Sequence, residues 1–236
     1  MNDGDKILSA PNWDRTVLAT LYLLITIVTL ISSLEASGQG SGKYKAALPP
    51  YTFDFPRDHA SHPDFRTEWW YYTGHLKSTD HSFGFELTFF QVGINPVRSM
   101  GGSAWRLHTL FSAHFAVTDE TGKSFYHTET IGRPTLNMAG ADEDHLRVWI
   151  GKWSTELLAD EMTHQLKAES SEASLSLKLV PTKPPVIHGH DGVSQKAEGK
   201  GRASHYYSLT RMTTAGTLTI GGENYNVQGL SWMDHE

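Results

Sequence analysis

The sequence contains no cysteine in its 236 residues, which excludes disulfides, thiolate metal sites, iron–sulfur clusters and a cysteine nucleophile. It also lacks an excess of basic charge, since 20 lysines and arginines stand against 26 aspartates and glutamates. A nucleic acid is therefore not an expected partner. The G-x-S-x-G, P-loop, G-x-G-x-x-G and H-E-x-x-H motifs are absent as well, so neither nucleotide binding nor the common serine hydrolase layout is expected.

One long apolar run is present, at residues 17–34. Its length is at the lower limit for crossing a bilayer, and the residues before it lack the positive charge of a standard export signal. The small residues 36–38 fit a signal-peptidase site. We predict that residues 1–38 are a signal peptide or a membrane anchor rather than a core helix, because a Gly/Ser-rich linker follows at 39–48. The expected location is the periplasm or the exterior, with membrane association through residues 17–34 if the segment is kept.

After the linker, apolar and polar residues alternate with a period of two, which is typical of half-buried β-strands. The segments with this pattern are 82–91, 111–117, 163–170, 173–180, 216–222 and 224–230. Short polar breaks at 119–123 and 170–172 predict hairpins, and residues 155–161 could form one or two helical turns. About ten strands with short turns favour an antiparallel barrel or sandwich. Its interior would be either a filled core or a cavity for one apolar ligand.

Residues 55–76 form the segment richest in aromatic side chains and histidines. In a strand, Trp69 and Tyr71 point to one face, and Trp70 and Tyr72 point to the other. Such rings favour burial in a core, but Trp and Tyr also suit ligand contact because they combine apolar surface with a polar tip. Both interpretations stay open.

Two loops carry histidines and carboxylates at spacings that could hold a metal ion. The candidate ligands are Asp58, His59, His62 and Asp64 in the first loop, and His188, His190 and Asp191 in the second. No third-ligand pattern follows the first loop, and a Gly-rich loop such as the second needs polar residues for no chemical reason. We therefore predict no metal site and no cofactor.

The segment 204–211 places His205 and Tyr207 on one strand face, and a histidine beside tyrosines can shuttle protons near neutral pH. In the final residues, Asp234 and Glu236 share one face and His235 takes the other. Two carboxylates on one face can raise a pKa and provide a general acid. These residues are the strongest candidates for catalysis.

With these motifs the sequence resembles the AttH/CrtC-like proteins, a two-domain lipocalin-like family that includes the carotenoid 1,2-hydratases and many "predicted secreted hydrolases". The resemblance rests on the segments FPRDHASHPDFRTEWWYYTGHL, FGFELTFFQ, WRLHTLFSAHFAVTD, VIHGHDG, SHYYSLTRM and GLSWMDHE, in the family's order. It implies an all-β, antiparallel lipocalin-like (calycin) β-barrel over residues 49–236. In the family this barrel is the first of two, so the resemblance also implies a second lipocalin-like domain that is missing from this chain.

The resemblance further implies a protein that binds an apolar lipid or isoprenoid-like molecule, and a hydratase or hydrolase that acts on it without an organic cofactor. A non-catalytic carrier of such a ligand, or a barrel with a filled core, is the alternative. His235 and Asp234 match the hydratases' Asp-His-Asn-Trp segment, whereas Glu236 departs from its asparagine. The candidate catalytic residues are His235, Asp234 and Glu236, and the candidate ligand-binding residues are Trp69, Trp70, Tyr71, His205, Tyr206, Tyr207, Arg211 and Trp232.

Overall fold

The computed structural model describes residues 44–94 and 107–236. The predicted signal peptide or anchor and most of the linker lie outside these residues. Within them the chain is almost entirely β-strand, with two short 3-10 turns at Arg57–His59 and Thr135–Asn137. No helix in the described part of the chain has the length and hydrophobicity needed to cross a bilayer.

The alternating segments form strands, as predicted. The strands are β1 (Thr67–Lys77), β2 (Ser82–Gly93), β3 (Thr109–Asp119), β4 (Ser124–Gly132), β5 (Ala139–Ala141), β6 (Arg147–Ile150), β7 (Trp153–Leu157), β8 (His164–Glu169), β9 (Ala173–Pro181), β10 (Val186–Ile187), β11 (Ser194–Gln195), β12 (Ala203–Ser204), β13 (Tyr207–Ile220) and β14 (Glu223–His235). The hairpins predicted at 119–123 and 170–172 are confirmed, because β3 pairs with β4 and β8 pairs with β9 across these breaks.

Eleven of these strands form one antiparallel sheet in the order β4-β3-β2-β1-β14-β13-β9-β8-β7-β6-β5. Strand β4, at one end of the sheet, contacts β6 near the other end, so the sheet curls into a nearly closed barrel. This confirms the predicted all-β, lipocalin-like fold. Strand β10 pairs with β13, and β11 pairs with β12 as a separate hairpin. The first and last strands of the barrel sheet, β1 and β14, are direct neighbours.

The helical turn considered for residues 155–161 is not found. Residues Trp153–Leu157 form strand β7 instead, and Leu157 pairs with His164 of β8. Trp153 and Thr155 alternate toward the interior, where both are buried. Period-two burial of β-branched and aromatic side chains therefore outweighs the helix propensity of the leucines that follow.

The barrel interior is packed with large apolar side chains. Those with almost no exposed surface include Trp70, Tyr72, Phe83, Leu87, Phe89, Phe115, Leu146, Leu166, Leu177 and Leu179. Burial of each contributes about 1.5–3 kcal/mol. The interior becomes polar where β1 begins and β14 ends, since Glu68 and His235 are both buried there. A charged residue in a core needs a partner, and this end of the barrel supplies several.

Candidate functional site

Three neighbouring strands bring Glu68, His235 and Tyr207 together on the inner face of the barrel. Trp70 of β1 lies opposite His235 of β14, and His235 lies opposite Tyr207 of β13. Because side chains alternate along a strand, Glu68 points inward with Trp70. Residues 68 and 235 are thus in contact although they are 167 positions apart.

His235 is fixed on both ring nitrogens. Its Nε2 lies 2.9 Å from Glu68 Oε1, and its Nδ1 lies 3.1 Å from the Tyr207 hydroxyl. The ring stacks on Trp70 at a centroid distance of 4.9 Å. A carboxylate can only accept hydrogen bonds, so in a neutral His235 the proton sits on Nε2 and Tyr207 donates to Nδ1. The Glu68 and His235 side chains are each 4% exposed.

The loop before β1 supplies a second histidine to the same carboxylate. His62 Nδ1 lies 2.7 Å from Glu68 Oε1, and His62 Nε2 lies 3.1 Å from Asp58 Oδ1. The backbone N–H of His62 donates to Glu68 Oε2 at 2.8 Å. Asp58 in turn accepts a hydrogen bond from the Tyr51 hydroxyl at 3.1 Å. Both oxygens of Glu68 are therefore held in place.

These contacts determine the charge state of the cluster. Burial alone would raise the pKa of Glu68, but hydrogen bonds from His235 and His62 outweigh it and hold that pKa well below its usual range. Burial would lower the pKa of His62, but its bonds to Asp58 and Glu68 raise it. At neutral pH Glu68 is consequently an anion between two imidazoles.

A second polar chain continues from Tyr207 into the barrel. The Tyr207 hydroxyl lies 2.6 Å from His59 Nδ1, and the His59 ring meets the His164 ring edge to face at 5.4 Å. His164 Nδ1 lies 3.1 Å from the Tyr72 hydroxyl, to which Thr155 donates. Burial lowers the pKa of His59 to about 3 and lowers that of His164 well below its usual value. Both rings are therefore neutral at physiological pH.

A cavity of about 220 Å³ opens beside this cluster. Its walls include the aromatic rings of Tyr51, Phe53, Phe65 and Trp69, together with Glu68, His62, Tyr207 and His235. An apolar cavity of about 150 Å³ is enough to hold benzene. This cavity can therefore hold about one substituted ring, or one end of a longer molecule, against the histidine–carboxylate cluster.

Asp234 does not face this cavity. It lies on the outer face of β14, where its carboxylate accepts hydrogen bonds from Tyr206 at 3.1 Å, from Ser208, and from the Trp232 indole at 2.7 Å. The proposed pairing of Asp234 with Glu236 as a proton-donating unit has no contact to support it. A general acid at Asp234 would be on the wrong side of the sheet.

Glu236 lines the cavity, but its carboxylate is bound to Ser204 and to Lys196 Nζ, the latter at 2.9 Å. Lys196 also lies over the Tyr206 ring, 4.5 Å from its centroid. These contacts attach the β11–β12 hairpin to the end of β14. Glu236 therefore has a structural partner within the described chain.

Replacing Lys196 by alanine is expected to lower the free energy of unfolding by less than about 1 kcal/mol, because a partly exposed ion pair is well screened by water. Its side chain is 42% exposed. Lys152→Ala, which removes an equally short pair with Glu169 at 78% exposure, is the matched control. Urea denaturation followed by circular dichroism gives both values, and a loss above 2 kcal/mol for Lys196→Ala alone would show that the hairpin depends on this contact.

The remaining candidates separate into three groups. Trp69, His205 and Tyr207 line the cavity, Trp70 is buried in the core, and Tyr71, Tyr206 and Trp232 lie on the outer face, while Arg211 is exposed to solvent. In the second histidine loop, His188 Nε2 bonds the Ser208 hydroxyl at 2.7 Å, and His190 and Asp191 are largely exposed. This loop does not contribute to the cluster.

Sequence reasoning missed Glu68, Tyr72 and His164. The available signal for Glu68 was its phase in the strand, since it alternates with Trp70 and Tyr72 on a face that the pattern marks as buried. An acidic side chain in that phase needs a buried partner. His164 gave no such signal, because its role depends on contacts with strands remote in sequence.

The family model for AttH-like proteins matches residues 46–236. A crystal structure of an AttH protein from Nitrosomonas europaea is similar, with a TM-score of 0.72 and 28% sequence identity over 81% of this chain and 57% of that chain. Kievitone hydratase from Nectria haematococca is similar in fold alone, with a TM-score of 0.56 and 16% identity over 82% of this chain and 54% of that chain.

This chain thus spans a little over half the length of these two solved structures. No curated protein matches its sequence significantly. The family match covers most of the chain, and the barrel agrees with it in architecture. The chain therefore belongs to the AttH-like family.

Proposed function

We propose that the protein is an enzyme of the hydratase or hydrolase type, which adds water to an apolar molecule held in the cavity beside Glu68 and His235. The observation that carries this proposal is the buried Glu68–His235 pair in the cavity wall. Burying an ion pair costs free energy that an apolar core would not spend. A site that only binds an apolar ligand has no use for this arrangement.

The geometry suits general base catalysis. A water molecule beside the cluster can pass a proton to His235, and the Glu68 carboxylate stabilises the imidazolium that forms. In a hydration, a proton adds to one carbon of a C=C bond, the water oxygen bonds to the other carbon, and the second proton of that water is taken up by the base. The aromatic walls would stabilise the carbocation between these steps.

The relatives support the same reaction class. Kievitone hydratase is a hydratase by name and shares the fold, and the AttH-like family match covers the segments that carry Glu68 and His235. The cavity volume suggests that a long isoprenoid or acyl chain would insert only one end. The apolar run at 17–34 supports a location outside the cytoplasm or at a membrane.

A carrier of apolar ligands is the second candidate, and the aromatic walls of the cavity favour it. Under that function the ligand would leave unchanged. The two candidates differ in the fate of the ligand, so a test must measure both binding and product.

The full chain should be incubated with short isoprenoid alkenes and with p-nitrophenyl acyl esters in H₂¹⁸O, and products measured by mass spectrometry. Incorporation of ¹⁸O is expected, and His235→Gln should lower kcat at least about 100-fold, as loss of a general base does. His188→Gln, the same change at a histidine outside the cavity, should leave kcat unchanged.

Full turnover by His235→Gln would contradict the catalytic assignment. Saturable binding of these compounds with no ¹⁸O in any of them would instead identify a carrier.

A further inference from the structure

Three metal-binding side chains converge at the cavity wall. His62 Nδ1, a Glu68 carboxylate oxygen and His235 Nε2 all lie within 4.8 Å of one another. Glu68 Oε1 is 2.7 Å from the first nitrogen and 2.9 Å from the second. Two adjacent ligands at about 2.1 Å from a divalent ion, set at a right angle, are about 3 Å apart. The observed separations are close to those of a facial set of metal ligands.

Each of these side chains is also oriented from behind. His62 Nε2 lies 3.1 Å from Asp58, His235 Nδ1 lies 3.1 Å from Tyr207, and the second oxygen of Glu68 accepts the His62 backbone N–H. Histidines that bind metals almost always give their other ring N–H to a carboxylate or another acceptor. The cluster therefore has both the inner ligands and the outer hydrogen bonds of a metal site.

We propose that His62, Glu68 and His235 bind one divalent transition-metal ion, with Zn²⁺ as the best match to two imidazoles and one carboxylate. All three residues line the cavity, so a remaining coordination position faces the place where a ligand would bind. The inference rests on the proposed function, because the water held at that position is the water that the reaction adds. A bound divalent ion lowers the pKa of such a water.

The test is isothermal titration of the EDTA-treated full chain with ZnCl₂, with Co²⁺ absorption as a measure of coordination geometry. One ion per chain is expected. Glu68→Gln and His62→Gln should weaken binding at least about 100-fold, and Asp58→Asn, which removes an outer hydrogen bond, should weaken it about 10- to 100-fold. Glu236→Gln changes a carboxylate in the same cavity outside the cluster and should bind Zn²⁺ as the native protein does.

The absence of saturable Zn²⁺ binding, or equal affinity in folded Glu68→Gln, would overturn the metal site. The second result would place the ion on exposed histidines such as His190. Turnover that survives removal of all metal would overturn the metal site and leave the proposed reaction in place. Tight binding dependent on Glu68, in a protein that converts none of the compounds, would support the metal site and overturn the proposed reaction.

Discussion

Replacing Glu68 by alanine is expected to lower the free energy of unfolding by about 3–5 kcal/mol, because breaking a buried ion pair leaves the other charge without compensation. The change removes the acceptor of both His62 and His235. The Glu68 side chain is only 4% exposed, so water cannot replace it without opening the barrel. Urea denaturation at pH 7, followed by far-UV circular dichroism, measures the loss.

Two variants define the scale of this effect. Glu68→Gln keeps the size and one acceptor oxygen and should cost about 1–3 kcal/mol, the range for a weakened buried hydrogen bond. Glu169→Ala removes a carboxylate that is 49% exposed and paired with Lys152, and should change stability by less than about 1 kcal/mol. Equal small losses for Glu68→Ala and Glu169→Ala would mean that the cluster is hydrated and that its charges are not coupled.

Raising the pH through the range from about 4.5 to about 7 is expected to destabilise the protein through Glu86. Burial raises the pKa of this carboxyl group from 4.5 to about 7, although Thr88 donates a hydrogen bond to it. A pKa that is higher in the folded state means that folding favours the protonated form. The stabilisation is complete below the unfolded pKa and is lost as the pH rises through the folded one. Because the side chain keeps some exposure, we expect about 2 kcal/mol rather than the full value of the shift.

The comparison of native protein with Glu86→Gln isolates this contribution. Glutamine resembles the protonated carboxyl group at every pH, so the two proteins should be equally stable at pH 4, and the variant should be about 2 kcal/mol more stable at pH 8. The groups near Glu86 on the outer face, Tyr71 and Asp234, are the same in both proteins. Glu129→Gln, at an exposed position of β4, is the control and should show no such divergence. Parallel pH curves for Glu86→Gln and native protein would contradict the prediction.

The strand pattern was predictable because it depends on a local signal. Segments such as 82–91 and 173–180 alternate strictly, and each became a strand whose apolar face lies in the core. The segment 155–161 was ambiguous because leucine and glutamate favour helices, while Thr155 and Trp153 fit a half-buried strand. Its pairing with β8 decides between them, and that pairing is a tertiary fact.

The site was predictable only in part, because its members come from separate segments. His235 was singled out by its motif, and His62 by its loop, but no sequence spacing connects them. The residue that joins them is Glu68, a single carboxylate in a strand otherwise noted for its aromatic rings. Only the register of β1 against β14 shows that these side chains meet. Asp234 and Glu236 were correctly placed on one face, but that face is not the one that carries His235.

The pairing of β1 with β14 also has a consequence for how the molecule folds. Contacts between residues separated by more than 160 positions require closure of a very long loop, and folding slows as such contacts dominate. The hairpins β1–β2–β3–β4 and β7–β8–β9 can form from local contacts, whereas the cluster around Glu68 exists only after β14 has inserted between β1 and β13. During refolding, strand content should thus recover before the histidine–carboxylate cluster does, and a chain arrested at that intermediate would be rich in β-structure and yet unable to react.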